Sequence, residues 1–143
     1  KAGLTNMPTT ERFAIRWGPA IATMAIIFLF SSIPKDMIIP NFGLRDFEVK
    51  KGAHLLMYGA LANTYLWGIT GWRNVRPASL MIAILWAAVY GVSDELHQSI
   101  VPGRVSTIMD VGIDTLGATL GIAAAWWWIR CLTSDEVREA APD

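Results

Sequence analysis

The chain has 143 residues, of which 53% are apolar and 17% are charged. A composition this apolar is unusual for a soluble domain of this length and points to a membrane protein. Lys and Arg together number 12, and so do Asp and Glu. Because the chain has no net charge, no global electrostatic field recruits nucleic acid, and any electrostatic recognition must be local.

Four apolar runs follow one another along the chain, each close to the length needed to cross about 30 Å of hydrocarbon. The first has Pro19 in its first turn, and the fourth ends in three consecutive tryptophans, which are typical of a membrane interface. A helix satisfies its own backbone hydrogen bonds in lipid, so we expect one helix in each run. The predicted spans are 17–33, 51–69, 78–97 and 107–129.

These runs predict an all-α membrane protein, a single domain over residues 1–143 that forms a four-transmembrane-helix bundle. A compact soluble domain of buried helices is the alternative, and it is disfavoured because four runs this apolar leave too few polar outer faces. The loop between the second and third spans carries Arg73 and Arg76 without an acid. Under the positive-inside rule, this loop and both termini are predicted to be cytoplasmic.

Most ionisable residues in or beside the spans gather at the opposite, outer end. Charged groups are costly in lipid, so they should face one another or a wet cavity, which predicts an inward-facing polar pocket. Residues three or four apart on a helix share a face, and the polar residues of three spans follow that spacing. The candidate catalytic groups are His54, Glu95 and Asp110, and the candidate substrate-binding groups are Lys51, Tyr58, Gln98, Arg104 and Asp114.

Each of these groups also has a structural interpretation. Lys51 can extend its amine to the interface, and Arg104 in its Pro-Gly turn can be a solvated loop charge. His54 can form a structural hydrogen bond with Glu95 or an aspartate, and the two aspartates can form ion pairs with the basic residues. The coincidence of many such groups at one end favours a functional site, since a purely structural protein can use apolar residues instead.

Other chemistries are weaker predictions. His54, Glu95, Asp110 and Asp114 offer mixed nitrogen and oxygen ligands, but none of the fixed metal-motif spacings is present, so no metal ligand is predicted and no cofactor is assigned. No Ser or Cys has a recognisable nucleophile context. Transport is disfavoured because the charges stop at one face, and no polar path crosses the midplane.

The polar residues fall into segments that resemble the VanZ-like family of small bacterial membrane proteins. The similarity extends from about Phe28 to Gly121, and at Asp114 the chain departs from a family pattern that usually has an amide. The segments are Lys51 to His54 with Tyr58; Tyr90 with Ser93, Asp94, Glu95, His97 and Gln98; Pro102 to Arg104 with Ser106; and Asp110 with Gly117 and Gly121.

The family is named for a protein that gives low-level resistance to the glycopeptide teicoplanin, so the resemblance implies a role in the cell envelope more than a defined reaction. We therefore expect a multi-pass protein of the bacterial cytoplasmic membrane that binds or processes an anionic lipid or a lipid-linked envelope precursor. The alternative is a non-enzymatic accessory subunit that docks onto a larger membrane complex. The expected partners are membrane lipids, and in the alternative that complex, but no nucleic acid.

Overall fold

The computed structural model describes residues 8–34 and 44–139, with side chains described for 8–34 and 51–131. These ranges contain helices and no strand, which confirms the all-α class. The predicted cytoplasmic placement of both termini concerns residues 1–7 and 140–143, which lie outside the described residues. The helices are α1 (Thr9–Ser31), α2 (Leu44–Thr70), α3 (Pro77–Gln98) and α4 (Ile108–Glu139).

Three of these helices are long and apolar enough to cross a membrane: α1, α3 and the part of α4 from Ile108 to Cys131. The helix α2 has 27 residues and sufficient length, but polar residues such as His54 and Asn63 keep it below that apolar composition. The predicted spans are thus supported for α1, α3 and α4, whereas the crossing by α2 stays a prediction. Since α2 packs against each of the other three helices, protein surrounds much of its polar surface.

The helices alternate in direction along the chain. The last residue of α1, Ser31, contacts Asp94 near the end of α3, while His54 in α2 contacts Asp114 in the second turn of α4. At the other end, Arg16 of α1 reaches the carbonyls of Trp67 and Gly68 near the end of α2. This up-and-down order places the polar ends of all four helices at the same end of the bundle.

The bundle buries small and polar side chains and exposes large apolar ones. Its core includes alanines on α2, α3 and α4 with no exposed surface, together with Leu61 and Leu66. Outward-facing residues such as Phe30, Leu85 and Trp127 are each about 60% exposed. A soluble helix shows the opposite pattern, so the exposed apolar surface is the one that lipid requires.

Glycines bring α2 and α4 into close contact. A Cβ atom added to Gly59 would lie 3.1 Å from the carbonyl oxygen of Gly117, and one added to Gly121 would lie 2.7 Å from Gly59 Cα. Backbones approach this closely only where neither residue carries a side chain. Of all the helix pairs, α2 and α4 have the most extensive contact, and this contact continues towards the polar end.

The sequence predicted Pro19 in the first turn of its helix. This prediction was wrong, because α1 already begins at Thr9. A proline inside a helix has no N–H to donate, so the carbonyl of Ile15, four residues earlier, loses its usual partner. The indole Nε1 of Trp67 in α2 donates to that carbonyl over 3.1 Å. The backbone defect in α1 is therefore satisfied by a side chain of α2.

We predict that Gly121→Ala destabilises the bundle by about 1–3 kcal/mol, because the added methyl group overlaps the backbone of α2. The measurement is the unfolding transition of the detergent-solubilised protein. Gly112→Ala is the matched control in the same helix, since nothing lies within 4 Å of a Cβ at that position. Equal stability of the two variants would contradict the packing described for α2 and α4.

Candidate functional site at the polar end of the bundle

Two carboxylates of α4 meet two basic residues of α2. His54 Nδ1 lies 3.0 Å from Asp114 Oδ1, and Lys51 Nζ lies 3.6 Å from Asp110 Oδ1. The Asp114 side chain has no exposed surface, whereas the Lys51 and Asp110 side chains keep 22% and 15% of theirs. Lys51 and His54 lie one turn apart on α2, and Asp110 and Asp114 lie one turn apart on α4. The contact of His54 with Asp114 therefore forms an inner layer of the site, and the contact of Lys51 with Asp110 an outer layer.

Glu95 connects α3 to the beginning of α4. The backbone N–H of Thr107 donates to Glu95 Oε2 over 3.0 Å, and the Thr107 hydroxyl donates to Asp110 Oδ2 over the same distance. Glu95 is 4% exposed, so its carboxylate is withdrawn from solvent. Thr107 thus joins two of the predicted catalytic residues, and its role was missed because a Thr before a helix is ordinarily an N-cap residue.

A second network joins α3 to the end of α1. The hydroxyl of Ser31 donates to Asp94 Oδ2 over 3.0 Å, and Gln98 Nε2 donates to the same oxygen over 3.0 Å. All three side chains are buried. The sequence assigned Gln98 to substrate binding and assigned no site role to Asp94 or Ser31. The spacing of four residues between Asp94 and Gln98 was the available signal for their contact.

Arg104 lies in the turn between α3 and α4 and contacts the last turn of α1. Its guanidinium donates from Nη2 to the carbonyl of Phe30 over 2.6 Å and from Nε to that of Ile33 over 3.1 Å. A cation at a helix C-terminus is stabilised by the helix dipole. Burial lowers the pKa of Arg104, while Asp94 and Glu95 oppose this shift.

Tyr58 and His97 occupy different sides of this end. Tyr58 is 1% exposed, and its ring stacks against that of His54 with centroids 6.2 Å apart. His97 instead stacks on Phe28, and its Nε2 lies 3.0 Å from the hydroxyl of Ser32. The structure therefore places Tyr58 beside the carboxylates and His97 against the end of α1, on the side away from the Glu95 contacts.

His54, Glu95 and Asp114 come closest to one another. Each offers one nitrogen or oxygen atom, and these atoms all lie within 4.8 Å of one another. The three residues come from α2, α3 and α4, and we call them the triad. Asp110 joins the triad indirectly through Thr107, and Lys51 joins it through Asp110.

Several buried polar atoms of this end meet no hydrogen-bond partner among the described residues. Buried polar groups in folded proteins are nearly always paired, so each exception requires an explanation. The five atoms are Tyr58 Oη, Asp94 Oδ1, Glu95 Oε1, Gln98 Oε1 and Asp114 Oδ2. All except the tyrosine hydroxyl can only accept, so each of these four oxygens needs a donor or a cation.

A cleft of about 560 Å³ lies at the other end of the bundle. Arg16, Arg73 and Arg76 line it together with Asn74 of the loop between α2 and α3, and no acidic residue contributes to its described lining. The sequence identified Arg73 and Arg76 as topology signals and predicted no site there. We call this feature the arginine cleft.

We predict that Ser31→Ala destabilises the protein by about 1–2 kcal/mol, because Asp94 loses a donor in a buried environment. Ser93→Ala is the control, since the exposed Ser93 hydroxyl donates only to the carbonyl of Tyr90 in its own helix. Thermal unfolding in detergent measures both. A Ser31 variant that unfolds at the wild-type temperature would show that this network does not stabilise the bundle.

Comparison with known proteins agrees with this architecture. The sequence model of the VanZ/LLP1 family matches residues 14–130, a range that includes all of the polar end described above. No curated protein and no solved structure matches the chain. The match and the membrane-spanning helices confirm the resemblance seen in the sequence: the chain is a multi-pass membrane protein that belongs to the VanZ/LLP1 family.

Proposed function

We propose that the protein binds or processes an anionic lipid, or a lipid-linked envelope precursor, at its polar end in the bacterial cytoplasmic membrane. The observation that supports this proposal is the set of buried oxygens without partners around the triad. A cluster that only holds helices together would pair its buried acceptors internally. Unpaired acceptors in a site formed by three helices suit the donor groups of a ligand or a cation, while Lys51 and Arg104 at the outer part of the site suit the ligand's anionic group.

The proposed roles follow the layers of the site. Lys51 and Arg104 lie in the outer part, where a phosphate group can share the contacts they already make with Asp110 and with the α1 carbonyls. Deeper in the bundle, His54 and Glu95 are the proposed acid and base, and Asp114 orients the imidazole.

The remaining candidates line the same volume. Asp110 is a further proposed catalytic group because Thr107 connects it to Glu95. Gln98 carries an unpaired amide oxygen and Tyr58 a buried hydroxyl close to Asp94, and both are proposed to contact the hydroxyl or amide groups of the ligand. An envelope precursor as ligand would connect this site to glycopeptide resistance.

The accessory-subunit alternative remains a second proposal, and the structure restricts how such docking can occur. Gly59, Gly117 and Gly121 form the small-residue faces that suit helix docking, and they pack against one another inside the bundle. A partner would therefore contact larger residues on the outer faces of α1 and α3, such as Leu29 and Met81, which are 64% and 71% exposed.

We predict that Lys51→Gln weakens binding of an anionic lipid about fivefold, because one basic contact near the membrane surface contributes about 1 kcal/mol. The probes are phosphatidylglycerol and a polyprenyl phosphate, with phosphatidylcholine as the zwitterionic control. Native mass spectrometry of the detergent-solubilised full chain measures the bound lipid.

The double variant Arg73→Gln and Arg76→Gln is the matched control for charge removal at the arginine cleft. Under the proposal, this double variant binds the anionic probes as the wild type does. If it loses binding while Lys51→Gln retains it, the anionic lipid binds at the opposite end, and the proposed site is wrong.

We also predict that the polar end faces the outside of the cell. In a Cys131→Ser background, Val105→Cys places a thiol in the turn between α3 and α4, where Val105 is 69% exposed. A membrane-impermeant maleimide should label this thiol in intact spheroplasts. In the separate wild-type protein, the native Cys131, near the other end of α4, should react only after the membrane is permeabilised. The reverse labelling pattern would place the polar end in the cytoplasm.

A further inference from the structure

We propose that the triad of His54, Glu95 and Asp114 binds one divalent transition-metal ion of the Zn²⁺ or Mn²⁺ type. From the sequence these residues were possible metal ligands, but no metal was predicted, because the three ligands come from three different helices and have no motif spacing. The fold creates the site by bringing these helices together at one end. Geometry, unpaired oxygens and charge support the proposal independently.

The spacing of the triad is close to that of ligand atoms around one ion. Nitrogen and oxygen ligands lie about 2.1 Å from such an ion, so neighbouring ligands at right angles are about 3.0 Å apart and opposite ligands about 4.2 Å apart. His54 Nδ1 and Asp114 Oδ1 are 3.0 Å apart. All three ligand atoms lie within 4.8 Å of one another, so the widest pair needs to close by no more than about 0.6 Å to reach the separation of opposite ligands.

The two carboxylates are buried, and each has an oxygen that forms no hydrogen bond of ordinary geometry in the described part of the chain, although the Ser106 hydroxyl lies near the Glu95 carboxylate. Asp114 is 0% exposed with Oδ2 unpaired, and Glu95 is 4% exposed with Oε1 unpaired. An unpaired carboxylate oxygen in a desolvated site carries a large free-energy cost. A metal ion removes this cost for both residues at once.

Space around Asp114 is left open by a glycine of α3. A Cβ atom added to Gly91 would lie 3.3 Å from Asp114 Oδ2, closer than most Cβ contacts. Any larger residue at this position would press on the unpaired oxygen. The opening at Gly91 therefore leaves that oxygen room to rotate towards a ligand.

Charge balance at this end also favours a cation. Among the side chains that the structure describes at this end, the four carboxylates of Asp94, Glu95, Asp110 and Asp114 accompany two permanently basic residues, Lys51 and Arg104. When ionised, the carboxylates leave a surplus of two negative charges inside a low-dielectric bundle. One divalent ion cancels that surplus.

The donor set selects the type of ion. One imidazole nitrogen with two carboxylate oxygens suits Zn²⁺, Mn²⁺ or Fe²⁺ better than Ca²⁺ or Mg²⁺, which favour oxygen ligands alone. Three protein ligands also leave coordination positions open, as in metal sites that contact a substrate. With an ion bound, His54, Glu95 and Asp114 would act as its ligands in place of their acid, base and orienting roles, and the ion would bridge them to a phosphate oxygen. This bridging role rests on the proposed function, whereas metal binding itself does not.

The first experiment measures metal binding without lipid. The full chain is purified in detergent, stripped with EDTA, dialysed, and titrated with Zn²⁺ or Mn²⁺, and bound metal is measured by mass spectrometry after desalting. We expect about one equivalent in the wild type. Glu95→Gln, Asp114→Asn and His54→Gln should each lower the affinity at least tenfold.

Two variants control for loss of a carboxylate or an imidazole outside the triad. Glu11→Gln removes a carboxylate in the first turn of α1, at the opposite end of the bundle, and His97→Gln removes the other histidine. Both should keep wild-type affinity within about threefold. Far-UV circular dichroism and a monodisperse elution profile show that each variant is folded, and with three ligand variants the test survives the misfolding of one.

The outcomes separate this inference from the proposed function. The metal site is disproved if the folded wild type binds neither ion at millimolar concentration, or if the ligand variants bind as tightly as the two controls. Lipid binding is then compared with and without the bound ion. Metal binding without any lipid binding would refute only the proposed function, while lipid binding unaffected by EDTA would refute only the bridging role.

Discussion

The structure depends on one constraint: charge inside a lipid-embedded bundle must be surrounded by protein. Asp114 has no exposed surface, and Glu95 has 4%. Neither can face lipid tails, so α2, α3 and α4 must present their polar residues to one another. The ends of α1 and of the turn before α4 complete the enclosure through Ser31 and Arg104. The polar end is therefore both the point at which the helices are fixed together and the candidate site.

Close packing of α2 and α4 makes this enclosure possible. Large side chains at Gly59 and Gly121 would separate the two backbones, and His54 would then lie too far from Asp114 to form its 3.0 Å contact. Gly117 and Gly121 lie on the same stripe of α4 as Asp110 and Asp114, with the glycines deeper in the bundle. The glycines set the distance between α2 and α4, and this distance in turn sets the distance between His54 and Asp114 at the polar end. The two distances cannot vary independently.

Much of this arrangement could be predicted from the sequence. The apolar runs predicted the boundaries of α1, α3 and α4 at the polar end to within a few residues. The free-energy cost of burying charge predicted that the polar residues gather at that end. Which group pairs with which could not be predicted, because helix rotation and tilt depend on packing that one sequence does not show. The sequence left open whether His54 pairs with Glu95 or with an aspartate, and the structure shows Asp114 as its partner. Thr107 and Ser31 were missed since isolated hydroxyl residues at helix ends have many ordinary roles.

The proline within α1 has a consequence for how the helices recognise one another. Apolar surfaces attract one another weakly in lipid and scarcely distinguish one rotation of a helix from the next. The carbonyl of Ile15, which loses its helical partner to Pro19, is an acceptor on one side of α1, and the indole of Trp67 is its donor on α2. This bond forms at a single azimuth and depth. A backbone irregularity in α1 thereby fixes the rotation and the depth of α1 relative to α2 when the bundle assembles.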